Sequence, residues 1–231
     1  RKGLCLEAAL REQILYQFFN LDIMVQAWPI MLRGFGMTLL LCIVVIPSGL
    51  LGGLVVALAS TSEKRWIRWP VAVLVDIFRA IPPLALLIMI SAGLPFAGIR
   101  LSPFTAVCLS FLLNNSAYYG EIYRAGIESI GTGQDEAARS TGLTGFQSMV
   151  YVILPQAVRN VLPDLVSNTI EVEKLTSLAS VVAFAELLYS ADMARSVTYN
   201  ASPIVMAACF YLVLLWPAVR LASRLERRLS T

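Results

Sequence analysis

Apolar residues run along this chain in long blocks separated by short charged stretches. Gly34 to Ser62 carries no charge, and neither do Ala80 to Ile99, Leu101 to Gly120 or Ser196 to Val219. A helix crosses the hydrocarbon core of a bilayer with about 20 apolar residues. The blocks therefore predict spans over roughly 34–60, 70–94, 103–127 and 203–223. A fifth, over about 161–184, is apolar overall but holds Glu171, Glu173 and Lys174. Ser140 to Val158 is also uncharged, yet Thr141, Gly142, Thr144, Gly145, Gln147, Ser148, Pro155 and Gln156 interrupt it. It reads as a broken, amphipathic segment rather than a span. The expectation is an all-α, polytopic bundle of five transmembrane helices, with its termini on opposite sides of the membrane.

Residues 1–33 precede this domain as an arm, and the membrane domain takes 34–231. In the arm, Ile14, Phe18, Leu21, Val25 and Trp28 recur at helical spacing, while Gln13, Gln17, Asn20 and Asp22 point elsewhere. This predicts an amphipathic helix, lying on the outer membrane surface or packed on the bundle. The first 30 residues are too polar for the apolar region of a cleavable signal peptide. Pro82, Pro83, Pro155 and Pro163 mark kinks or helix starts.

Composition strengthens the membrane reading. Of 231 residues, 58% are hydrophobic and 14% charged, with mean hydropathy +0.72. Soluble domains are about a quarter charged, and a soluble fold of this length could not hide so much apolar surface. The net charge of +3 comes without a basic stripe interleaved with aromatics, which argues against nucleic acid as a partner. The absence of histidine removes the usual general base and metal ligand. Cys5, Cys42, Cys108 and Cys209 lack metal-ligand or CxxC spacing and read as small hydrophobes. Neither a catalytic nor a metal site is expected.

Positive charge orients the bundle. Lys64, Arg65 and Arg68 follow the first predicted span, Arg124, Arg139 and Arg159 surround the third connection, and Arg220, Arg224, Arg227 and Arg228 follow the last. All fall on one side, which is then cytoplasmic; the opposite loops carry only Arg100 and Arg195. The arm runs against this, with Arg1, Lys2, Arg11 and Arg33 diluted by Glu7, Glu12 and Asp22. The N-terminus is expected outside and the C-terminus in the cytoplasm.

On the cytoplasmic side, residues 131–155 predict helix, turn, helix. Gly131 and Gly133 end the third span, and Gln134 to Thr141 continues as a short helix with acids in its first turn. Gly142 suits a left-handed helix terminator. Thr144 and Gln147 fit a capping box that opens a second helix through Leu154, lined by Phe146, Met149, Val150 and Ile153. From the residues alone, this is either a docking surface or a loop packed on its own bundle.

Glu136-Ala137-Ala138, Gly142 after three intervening residues, then Val152, Leu154 and Pro155 resemble the EAA signature of the membrane subunits of ABC importers. Gly133-Gln134 and Gln156-Ala157 are similar to the polar amino acid branch of that family, as are Phe78–Leu84, Glu121–Ile127 and Lys174–Ser180. The resemblance runs from about Gly34 to Arg224. Ala80 stands where the family often has Gly, Leu175 where a polar residue is common, and Glu171–Lys174 is more charged than usual.

The resemblance implies a permease subunit that moves a polar amino acid or related compound into the cell across the bacterial cytoplasmic (inner) membrane. It implies that Gln134, Glu136, Ala137, Ala138, Gly142, Leu154 and Pro155 couple the chain to a separate ATPase dimer. Glu136 would make a polar or ionic contact, the two alanines would permit close approach, and Gly142 would form the turn. A second permease subunit, identical or related, and an external solute-binding protein are implied as further partners. The chain has no GxxxxGK[ST] phosphate loop, so ATP and Mg belong to the partner and no cofactor is expected on this chain.

Ionisable groups within a span usually face a cavity or a partner. Asn168, Glu171, Glu173, Lys174, Thr176 and Ser177, with Asn115 on the third span, are the candidates for a substrate path. Glu171 and Lys174 stand three apart and could pair, either lining the path or only steadying the helix. Asn114, Asn115 and Glu121 read more readily as ties between helices. Asp76 and Arg79, also three apart, are expected to pair. The competing expectation is an ion-coupled secondary transporter or channel with no ATPase; a membrane-embedded enzyme fits poorly without histidine or clustered ligands.

Overall fold

The computed structural model describes the backbone of residues 2–229 and the side chains of 10–224 and 227. Ten α-helices follow in order, with no strand among the described residues: α1 (Lys2–Phe18), α2 (Leu21–Ser60), α3 (Arg65–Ala80), α4 (Pro83–Ile88), α5 (Pro103–Glu128), α6 (Thr132–Ser140), α7 (Gly145–Ser148), α8 (Leu154–Leu175), α9 (Leu187–Thr198) and α10 (Ser202–Leu229). The predicted spans 34–60, 103–127 and 203–223 lie within α2, α5 and α10. By length and apolarity, Leu10–Ser60 and Ser202–Arg224 can cross a membrane, and two bent pairs raise the number to four. Helix α5 covers the remaining predicted span, with its charged residues Glu121, Arg124 and Glu128 confined to its last turns.

Three boundaries differ from the sequence expectation. The arm does not end at residue 33. Asn20 starts a new helix by accepting from the Ile23 amide at 3.2 Å, and nothing then breaks the helix until Ser60. At about 1.5 Å per residue the resulting helix is twice as long as the hydrocarbon core is thick. The predicted stripe from Ile14 to Trp28 therefore crosses a helix break, although all five residues are exposed.

The expected span 70–94 is not one helix. The α region is disfavoured for a residue before proline, and here two successive residues, Ile81 and Pro82, precede prolines. They adopt φ −79°, ψ 124° and φ −56°, ψ 136°. Pro83 then opens α4, and the two axes differ by 100°. Neither Pro82 nor Pro83 has an N–H for the carbonyl four residues earlier. Side chains one turn apart on α5 make up the loss: Asn114 Nδ2 donates to the Phe78 carbonyl at 3.0 Å, and the Tyr118 hydroxyl to the Arg79 carbonyl at 3.3 Å.

The expected second helix of the cytoplasmic segment does not stop at Leu154. After α7, Met149–Ile153 form a π-helical turn that leads without a break into α8, which carries Pro155 and Pro163. Local widening of this kind relieves the clash of a proline ring with the carbonyl four residues back. Helix α8 ends at Leu175 in a tighter turn over Thr176–Val182.

The helices form two compact units. One takes the residues up to Cys42 together with Lys174–Ala218. Its core is Ala27, Met31, Leu187, Ala191, Met206 and Ala207. Its fully buried Glu186 caps α9, accepting from the Leu188 and Tyr189 amides at 2.8 and 2.7 Å and from the Tyr211 hydroxyl at 3.0 Å. The other unit takes Ile43–Glu173 and the residues from Val219 on. Here α2 and α5 approach through small residues: a Cβ on Gly53 would lie 2.8 Å from the Gly120 amide nitrogen. Small residues at such crossings are how membrane helices gain contact without a hydrophobic driving force between them.

Candidate functional site

Residues 131–148 form a short, internally braced unit. Helix α6 has Asp135 in its first turn, where the helix dipole favours an anion. Gly142 ends it at φ +91°, the left-handed conformation that costs glycine little. Its amide bonds the Arg139 carbonyl at 2.9 Å, and the Leu143 amide reaches back to the Ala138 carbonyl at 3.4 Å. The capping box also forms: the Gln147 amide donates to Thr144 Oγ1 at 3.3 Å, and the Thr144 amide to Gln147 Oε1 at 2.9 Å.

A contact that sequence reasoning missed locks the two helices together. Ser148, fully buried, donates from Oγ to Asp135 Oδ1 at 2.6 Å. Arg139 holds the other Asp135 oxygen at 2.9 Å. The Ser148 hydrogen bond, with help from Arg139, keeps the Asp135 carboxyl below its ordinary range. A serine thirteen residues from an acid carries no periodic signal, so nothing local pointed to the pair. Gln156 Nε2 lies 3.4 Å from Gln134 Oε1, a second, weaker tie from α8 back to α6.

This bracing decides what α6 shows to its surroundings. Glu136 and Ala137 are exposed, whereas Ala138 is buried against its own unit at 7% exposure. The two alanines thus face different ways, and only Ala137 can admit another backbone. Gln134, Gly142 and Pro155 are exposed and Leu154 is half-buried. Phe146 and Tyr151 are large and exposed nearby.

The substrate-path candidates are divided between the two units. Asn115, Asn168, Glu171 and Glu173 belong to one compact unit, and Lys174, Thr176 and Ser177 to the other. Asn115 is buried on α5 at 2% exposure, and its Nδ2 has no hydrogen-bond partner among the described residues, whereas the Asn168 amide on α8 faces the Tyr119 hydroxyl. Between them in the same unit, the Tyr119 hydroxyl meets Thr169 Oγ1 at 2.8 Å. Glu171 and Lys174 are exposed, and Thr176 is fully buried.

The expected Asp76–Arg79 pair does not form among the described residues. Arg79 lies 3.7 Å from Glu121 and over the Tyr118 ring instead. Glu121 also binds Arg124, which bonds Glu128 as well. Sequence spacing could not rank these choices, because Glu121 reaches Arg79 only through the packing of α3 on α5.

Among the described residues the chain is all-helical, with helices long and apolar enough to cross a membrane and a braced helix pair at residues 131–148, an architecture suited to a membrane transport subunit. Comparison with known proteins is consistent with that class. Residues 49–231 match the family described as binding-protein-dependent transport system inner membrane component, and the chain belongs to that family. It is thus a permease subunit of an ABC importer and an integral membrane protein. It is 35% identical over 91% of its length, and 98% of the relative's, to a probable glutamine ABC transporter permease protein, GlnM, of Bacillus subtilis (strain 168). It is 32% identical to the arginine transport system permease protein ArtQ of the same organism, over 88% of this chain and 94% of that one. A crystal structure of an amino acid ABC transporter with histidines superposes with TM-score 0.80 at 38% identity, covering 89% of this chain and 96% of that one.

Proposed function

We propose that this permease moves a polar amino acid or related compound inward, driven by ATP hydrolysed on a separate ATPase dimer. The cargo class is supported by relatives that share about a third of its residues over nearly the whole chain and are named for glutamine and arginine transport. The observation that carries the mechanism is the outward face of α6. Glu136 and Ala137 project from a helix that Asp135, Ser148 and Gly142 hold rigidly to the start of α8. A push on α6 would pass through α7 and the π-helical turn into α8 without a flexible joint, since helix continues from Gly145 to Leu175.

In this reading Glu136 makes the charged contact, Ala137 sets the approach distance, and Gly142 fixes the turn. Gln134 with Gln156, and Leu154 with Pro155, hold α6 in register with α8. Residues 131–155 and the C-terminus face the cytoplasm, and the N-terminus faces outward, as the distribution of Lys and Arg favours. ATP and Mg are bound by the partner. A second permease subunit completes the pathway, and an external solute-binding protein delivers the cargo to it. Asn115, Asn168, Glu171, Glu173, Lys174, Thr176 and Ser177 contribute to the path; a buried amide group with unused hydrogen-bonding capacity, as at Asn115, is suited to a zwitterionic cargo.

The test is ATP-driven uptake into proteoliposomes by the assembled transporter. Glu136→Ala and Gly142→Pro abolish uptake while the solute-binding protein still binds its ligand. Full transport by Gly142→Pro would sink the coupling role. Uptake driven by an ion gradient with no ATPase present would replace the reading with a secondary transporter.

A further inference from the structure

Helix α3 presents two stripes of side chains. Trp66, Trp69, Val73 and Ile77 recur every three or four residues and are all exposed, the tryptophans at 73% and 72%. Arg65, Arg68, Ala72 and Asp76 form the neighbouring stripe and line a cavity of about 750 Å³. Its other walls include Ser60 at the end of α2 and Glu121, Arg124 and Glu128 on α5. On the α5 wall, Arg124 is bound to both acids. On the α3 wall, Arg65 and Arg68 have no acidic partner among the described residues, and Asp76 stands more than two turns beyond Arg65. Lys64 precedes them, so the start of α3 gathers cations at the end of a helix whose dipole already favours an anion.

A second cavity, of about 250 Å³, adjoins the first, and Val75 lines both. Its walls are apolar, with Val55 and Ala59 from α2, Val71, Leu74 and Phe78 from α3, and Leu113 from α5 among them. A compartment with uncommitted cations thus sits beside a groove of hydrocarbon character, on the same three helices. That is the polarity order of a phospholipid. Tryptophans beside the cations suit the same depth, since indole rings concentrate at the head-group level of a bilayer. Basic pockets between membrane helices take anionic head groups.

We propose that the α2–α3–α5 cleft holds one anionic phospholipid, with its phosphate on Arg65 and Arg68 and an acyl chain along the apolar groove. The lipid then supplies the counter-charge that the start of α3 lacks and covers Trp69 and Leu74, which are exposed and line the two cavities. This does not depend on the cargo or on the ATPase partner.

The test is native mass spectrometry of the full chain in mild detergent, supplied with equal phosphatidylglycerol and phosphatidylcholine of matched chains. Wild type retains one phosphatidylglycerol, preferred about tenfold over phosphatidylcholine. Arg65→Gln with Arg68→Gln abolishes the preference without touching the groove. Ala59→Phe, which fills the groove and leaves the charges in place, lowers retention of both lipids. A preference unchanged in the double variant, retention of detergent alone, or displacement of the lipid by millimolar inorganic phosphate would each overturn the proposal.

Discussion

Residues 131–148 and the buried amide of Asn115 on α5 handle polar groups in opposite ways. In residues 131–148 the bracing polar groups meet one another locally: Asp135 with Ser148 and Arg139, Thr144 with Gln147, and the end of α6 with Gly142. What is left over, Glu136 and Ala137, points outward. On α5 of the same unit, Asn115 buries an amide nitrogen that has no partner among the described residues. Water can satisfy polar groups in the first region, whereas an unsatisfied group away from water costs free energy. The contrast teaches that the first region spends its polar groups on its own bracing, while the second keeps unspent hydrogen-bonding capacity.

Asn114 and Asn115 offer the sharpest way to break that comparison, because they are neighbours with different accounts. Asn114 replaces the N–H that Pro82 lacks, so Asn114→Leu leaves the Phe78 carbonyl unsatisfied. A loss of about 2 kcal/mol is expected, read as a lower unfolding midpoint in detergent. Thr144→Ala removes one half of the capping box and costs about 1 kcal/mol, seen as faster amide exchange confined to residues near 144–148. Asn115→Leu removes an amide nitrogen that has no partner among the described residues, so stability changes by less than about 0.5 kcal/mol while uptake falls. If Asn115→Leu instead destabilises as strongly as Asn114→Leu, the two asparagines are both structural ties and the contrast fails.

Much of this was legible in the residues. Apolar blocks located the helices, and Gly142, Thr144 and Gln147 gave the turn and cap of the cytoplasmic segment because these signals act within four residues. Signals that depend on packing were not legible. Pro82 and Pro83 were visible as a break, but not the 100° bend or the rescue of its carbonyls by Asn114 and Tyr118. Ala137 and Ala138 look equivalent in sequence, and only the burial of Ala138 separates them. Helix α9 was missed altogether, although Glu186 standing alone before Leu187 and Leu188 carries the pattern of a helix cap in an apolar setting. The continuity from Leu21 to Ser60 was hidden by reading Gly34 as a boundary, when that glycine instead makes room for Ser190 and the Glu186 carbonyl.

The central claim is that the outward face of α6 docks the ATPase. Single cysteines at the two alanines test it, in a background with Cys5, Cys42, Cys108 and Cys209 replaced. With a maleimide–benzophenone attached to that thiol and photoactivated on the assembled transporter, Ala137→Cys should cross-link to the ATPase subunit in high yield, and Ala138→Cys should not. Equal yields from the two positions, or a cross-link from Ala138→Cys alone, would contradict the account.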